Sequence, residues 1–97
     1  MKAARIYHYK ERTATGRIVE AVIYQVPPNP KNPTGYRFRC FMVDEATGEE
    51  ILGYDNHWPK GPHRHLRGHE EPYAFTGVED LLRDFFHAVD LVEEGKL

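Results

Sequence analysis

Histidine is the side chain whose charge changes nearest to neutral pH. Four of the six histidines in this 97-residue chain fall between Gly53 and Phe75. They are His57, His63, His65 and His69, and Lys60, Arg64 and Arg67 are interleaved with them in "GYDNHWPKGPHRHLRGHEEPYAF". No acid stands between Asp55 and Glu70. Imidazoles beside fixed cations are the inventory for cleaving a phosphodiester in RNA. One imidazole takes the proton of the ribose 2′-hydroxyl, a second returns a proton to the departing 5′-oxygen, and cations offset the charge that builds on the phosphate. His63 and His65 are the acid and base candidates, with Asp55 to orient an imidazole and fix its tautomer. Arg64, Arg67 and Lys60 are the phosphate-binding candidates. Asn56 is a hydrogen-bond donor to substrate or to the loop backbone, and Trp58, with Tyr54 and Tyr73, offers a ring on which an unpaired base can stack.

The same residues allow two other readings. His63 and His65, two apart, point to one side of an extended chain and could share a divalent ion completed by Asp55, His57 or His69. Arg64 and Arg67 stand among those ligands, where their charge opposes a cation, and there is no CxxC or HExxH pattern. The expectation is therefore no metal and no other cofactor. The third reading involves no chemistry: either a solvated loop, with Trp58 and Tyr54 covering one end of the core, or the adaptable rim of a protein-interaction module.

The elements that must position this stretch are legible in the hydrophobic pattern. "ARIYHYKER" (4–12) and "RIVEAVIYQV" (17–26) read as a hairpin around the turn "TATG", with the second strand apolar on both faces over Val22 to Tyr24. "PPNPKNPTG" (27–35) holds four of the seven prolines and reads as a stiff, exposed connection. "YRFRCFMVD" (36–44) alternates, with Tyr36, Phe38, Cys40 and Met42 on one side and Arg37, Arg39, Phe41 and Val43 on the other. This places Cys40 in the core and leaves Arg37 and Arg39 either as surface charges or as flanks of a polyanion site. "ILGYD" (51–55) returns as a fourth strand. The last element is a helix whose stripe of Val78, Leu81, Leu82, Phe85, Val89 and Val92 packs on the sheet, with His87 outside the stripe. Thr76 and Glu79 have the spacing of a capping box, and Gly95 is the stop. The expected fold is α+β: a four-stranded, mostly antiparallel sheet, a long histidine-rich loop and one C-terminal helix, forming one domain over 1–97.

Composition narrows the classes. A net charge of −2 and an isoelectric point near 6.3 argue against a general nucleic-acid coat protein, though not against a local cationic site. No hydrophobic leader and no apolar run of membrane-spanning length is present, so a cytoplasmic protein is the default. The single cysteine excludes an internal disulfide framework. A core this small makes a homodimer, or pairing with another chain, unsurprising.

The Gly53–Phe75 stretch, followed by "VEDLLRDFFHAV", resembles the TumE-type family of small prokaryotic toxins from toxin–antitoxin pairs. The resemblance rests on a strand ending in Tyr54-Asp55-Asn56, a short Pro/Gly segment, His63-Arg64-His65, the Glu71–Phe75 stretch and the amphipathic helix. The hairpin "YRFRCFMVDEATGEEILGYD" is also similar in length and pattern, so the match covers most of residues 36–92, with the N-terminal hairpin less distinctive. It implies a growth-inhibiting protein held by a cognate antitoxin, usually a small DNA-binding one. A ribonuclease activity follows only by analogy with other small toxins. One departure is Pro62, which precedes His63 where family members often carry adjacent histidines. The sequence thus points to a toxin acting on RNA without a metal, through His63, His65 and Asp55.

Overall fold

A computed structural model describes residues 3–97. The chain forms β1 (Ala4–Arg12), β2 (Arg17–Gln25), β3 (Tyr36–Asp44), β4 (Glu50–Asp55), β5 (His63–Leu66), β6 (His69–Pro72) and α1 (Val78–Glu93). Each strand is hydrogen-bonded antiparallel to the next, so the sheet order is β1-β2-β3-β4-β5-β6. The fold is α+β, with the helix packed on an antiparallel sheet as expected. The sheet has six strands rather than four. What reads as a long histidine-rich loop is largely a hairpin, with irregular segments between β4 and β5 and between β6 and α1.

The missed hairpin has a local cause. β5 and β6 have four residues each and carry His, Arg and Glu where a strand signal needs alternating apolar residues. Their turn is Arg67-Gly68, with φ of 48° and 84°. Two consecutive positive-φ residues are the geometry of a primed two-residue turn, whose twist suits the flanking strands. Arginine in its first position disguises it.

Strand alternation sorts the side chains into two faces. Val19, Ala21 and Ile23 of β2, Phe38, Cys40 and Met42 of β3, and Leu52 and Tyr54 of β4 are buried on one face. Leu81, Phe85, Ala88, Val89 and Val92 of α1 complete that core. Phe85 is fully buried, its ring edge-on to Tyr54, and Phe86 meets Tyr9 of β1 at 4.9 Å. Burial also pushes the Cys40 thiol up to about 12, so it is a packing residue rather than a nucleophile.

The helix ends differ in how they are built. At the N-terminus Gly77 is the cap and no side chain caps it, so the Thr76–Glu79 capping box does not form. Thr76 donates its hydroxyl to Asp80 instead, at 2.6 Å. At the C-terminus the amide of Gly95 donates to Val92 O and that of Lys96 to Leu91 O. With Gly95 at φ 75°, this is a Schellman stop.

Candidate active site

β4 and β5 are paired so that Asp55 lies opposite His63 and Gly53 opposite His65. The period of two then puts Asp55, His63 and His65 on the sheet face that the helix leaves uncovered. One ligand-type atom from each of the three lies within 4.8 Å of the others. The site is assembled by register, not by a mobile loop.

His63 is held from both ends. Its Nε2 is 3.0 Å from Asp55 Oδ1 and its Nδ1 is 2.7 Å from the carbonyl oxygen of Gly61. Only 6% of the residue is exposed. A neutral imidazole can donate to one of those oxygens, and the doubly protonated ring donates to both. The ring of His65 stands edge-on to His63, 4.8 Å between centroids. His65 is more accessible, and its Nδ1 stops 3.7 Å short of Glu70 Oε2, beyond hydrogen-bond length. Glu70 in turn accepts a 2.8 Å bond from Lys60, which holds its carboxyl below the usual carboxylate range. A further carboxylate is close: Glu50 Oε1 lies 2.6 Å from where a β-carbon on Gly53 would sit.

Other residues that sequence reasoning grouped with the imidazoles lie elsewhere. Arg64 occupies the intervening position on β5, so it faces the helix side. There it lies over the Tyr54 ring and donates to Glu71 at 2.8 Å. Arg67 sits at the hairpin tip and donates to the backbone oxygen of Leu97. Neither guanidinium is brought to His63 and His65. Tyr54 is buried, and Tyr73 donates its hydroxyl to Asp84 at 2.6 Å, so both rings belong to the helix side. Asn56 is buried and bridges to β3, donating to Tyr36 O at 2.7 Å and accepting from Phe38 N at 3.0 Å. Trp58 is exposed, with the Lys31 ammonium 4.8 Å from its ring centroid. His57 is exposed near Asp55, which accepts its backbone amide, and His69 falls on the helix side with Arg64's partner Glu71. His87 is exposed on the helix, as its place outside the stripe indicates.

The open face continues beyond the imidazoles. One row across the sheet runs Val22, Arg39, Asp55, His63 and Pro72, and the next runs Glu20, Phe41, Gly53, His65 and Glu70. Arg39 is therefore Asp55's cross-strand neighbour. Its guanidinium lies 4.3 Å from the Phe41 ring centroid, and that of Arg37 lies 4.9 Å from Tyr24.

A family model described as Toxin TumE matches residues 2–93, nearly the whole chain. The chain belongs to the TumE toxin family. Membership makes it a toxin component of a toxin–antitoxin system and implies an antitoxin as partner. Among the described residues no helix is long and apolar enough to cross a membrane. Nothing among the curated proteins matches it, and no solved structure does.

Proposed function

We propose that this TumE-family toxin cleaves RNA at the Asp55–His63–His65 centre, using its imidazoles rather than a metal. The observation that carries the reading is the convergence of two imidazoles and a carboxylate on an uncovered sheet face. His65, accessible and not within hydrogen-bond reach of Glu70, accepts the proton of the ribose 2′-hydroxyl as that oxygen attacks phosphorus. His63, donating from both ring nitrogens to Asp55 and the Gly61 carbonyl, carries positive charge beside the phosphate. His65, the accessible imidazole, then gives that proton to the departing 5′-oxygen, so it ends the step as it began. Lys60 lies at the rim of the site, its ammonium paired with Glu70. The test is purified toxin with unstructured RNA in chelator. Cleavage that persists, follows a bell-shaped pH profile and disappears in His65→Ala supports the reading. RNA that stays intact both in this assay and in cells arrested by the toxin refutes it.

A metal-assisted version of the same centre has its own support. Arg64 and Arg67, the sequence's objection to a cation, are turned away from the imidazoles. The far nitrogen of His63 rests on a backbone carbonyl, the kind of outer contact that metal-binding histidines use. The candidate ligand atoms are within 4.8 Å of one another. Zinc titration separates the two versions. About one zinc per chain, lost with His65→Ala and needed for cleavage, selects the metal; cleavage in chelator selects the imidazoles alone.

A further inference from the structure

The charge of the chain is unevenly divided. Six of the fifteen acids, Glu79, Asp80, Asp84, Asp90, Glu93 and Glu94, belong to the helix and its last turn. The opposite face of the sheet shows Lys10 on β1 and Arg37 and Arg39 on β3. Both arginines are exposed, and among the described residues neither is in an ion pair; each lies over an aromatic ring instead. A net charge of −2 thus conceals a cationic strip on the side where Asp55, His63 and His65 lie.

Next to that strip is a recess of about 290 Å³, bounded by Val22, Tyr24, Arg37, Arg39, Asn56 and His57. Asp55 forms part of its wall as well, so the recess adjoins the imidazoles through a residue they share. Its size is at the low end for ligand sites and suits a single planar ring system better than a long chain. An arginine lying over an aromatic ring has an outer side on which a base can stack and N–H groups for phosphate oxygens.

We infer that the uncovered face of β2 and β3 binds single-stranded RNA, with one base in this recess and the adjoining phosphates on Arg37 and Arg39. The inference rests on the reading of Asp55, His63 and His65 as an RNA-acting centre and supplies its substrate-holding surface. A strand is required rather than a duplex, because only an unpaired base can leave its stack to enter a recess. Glu20 also lies on this face, but His8 donates to it at 2.9 Å, which occupies that carboxylate. The row Val22, Arg39, Asp55, His63 then gives the direction: a phosphate on Arg39 is two cross-strand steps, about 10 Å, from His63, with Asp55 between them.

The experiment is fluorescence anisotropy of a short labelled 2′-O-methyl RNA strand, which cannot be cut by attack of its own 2′-oxygen. Arg37→Gln/Arg39→Gln is expected to weaken binding about tenfold or more at moderate salt. It should also reduce the slope of log affinity against log salt by about 1.4, since each single-strand phosphate contact contributes about 0.7. Arg83→Gln, a change on the helix side, should bind as wild type, and a duplex of the same sequence should bind more weakly. Equal binding by the double variant and wild type overturns the inference, as does an equal loss in Arg83→Gln or no preference for the strand. No binding by wild type at low salt also overturns it and gives the face to an acidic protein partner. With unmodified RNA the two proposals part. Binding as expected without cleavage keeps this surface and rejects the ribonuclease reading. Unimpaired cleavage by the double variant at subsaturating RNA does the reverse.

Discussion

Tyr54 and Asp55 are consecutive in β4, yet they live in different solvents. Tyr54 lies beneath the helix with Phe85 and Tyr73 against its ring, whereas Asp55 meets His63 on the open side. Arg64 and His65, opposite them in β5, divide the same way. Arg64 supports the apolar side by lying over Tyr54, and His65 joins the chemical centre. Alternation along a strand is thus a sorting rule, and it separates groups that composition alone lumps together. A cation and an imidazole adjacent in sequence are, in this sheet, on opposite sides of the protein.

That difference makes its strongest prediction on the helix side. Phe85→Ala removes a fully buried ring and should cost about 3–5 kcal/mol, most of what a small protein possesses. An unchanged thermal midpoint would mean the helix does not seal this face. His65→Ala, by contrast, should alter stability by no more than about 0.5 kcal/mol, as open-face changes do. Growth arrest should nonetheless be lost, and a folded, fully toxic variant would remove His65 from the mechanism.

His63→Ala falls between these extremes. An irregular loop would have made it neutral, but His63 is buried in β5 and answers Asp55 and Gly61. Its removal leaves those acceptors unpaired and should cost about 1–3 kcal/mol by denaturant unfolding. A loss below the experimental error would indicate that water replaces the ring readily and that its burial is superficial.

The smallest effect tests where the helix is tied down. The Glu93 carboxylate accepts from Thr15 and from Arg17, the latter at 2.6 Å. Burial by itself pushes this carboxyl up, but the hydrogen bonds of Thr15, Thr13 and Arg17 outweigh it and leave the group below its ordinary value of 4.5. A carboxyl lowered on folding adds stability that is complete above that ordinary value and drains away as pH falls through the folded value. Glu93→Gln should therefore cost about 1 kcal/mol or less near neutrality and flatten the acid limb of the stability profile. An unaltered acid limb would assign it to other carboxylates.

How far the sequence could be read follows from the same two faces. β1 to β4 and the helix stripe were legible because burial on one side imposes period two or period 3.6 on apolar residues. β5 and β6 have little apolar burial to impose a pattern, and their signal was the two-residue spacing around Arg67-Gly68, weakened by an unusual first residue. That Asp55 would orient an imidazole was anticipated from chemistry, though not that the imidazole would be that of His63. The places of Arg64, Arg67 and Tyr54 were not, since a segment read as irregular assigns no faces. Arg37 and Arg39 were noticed as possible flanks of a polyanion site, but their stacking on Tyr24 and Phe41 depends on the register between β2 and β3, which no single strand contains.

The strictly sequential order of the strands bears on how the protein comes into being. Every sheet pairing joins neighbours along the chain, so a polypeptide leaving the ribosome can add one hairpin at a time without waiting for a distant partner. By Pro72 all three members of the Asp55 centre have emerged, whereas the residues from Leu81 to Val92 that seal the sheet's other side come last. The proposed centre is thus laid down before the part that makes the fold durable. Until the final helix docks, the nascent chain carries Asp55, His63 and His65 on a sheet whose apolar side is still bare.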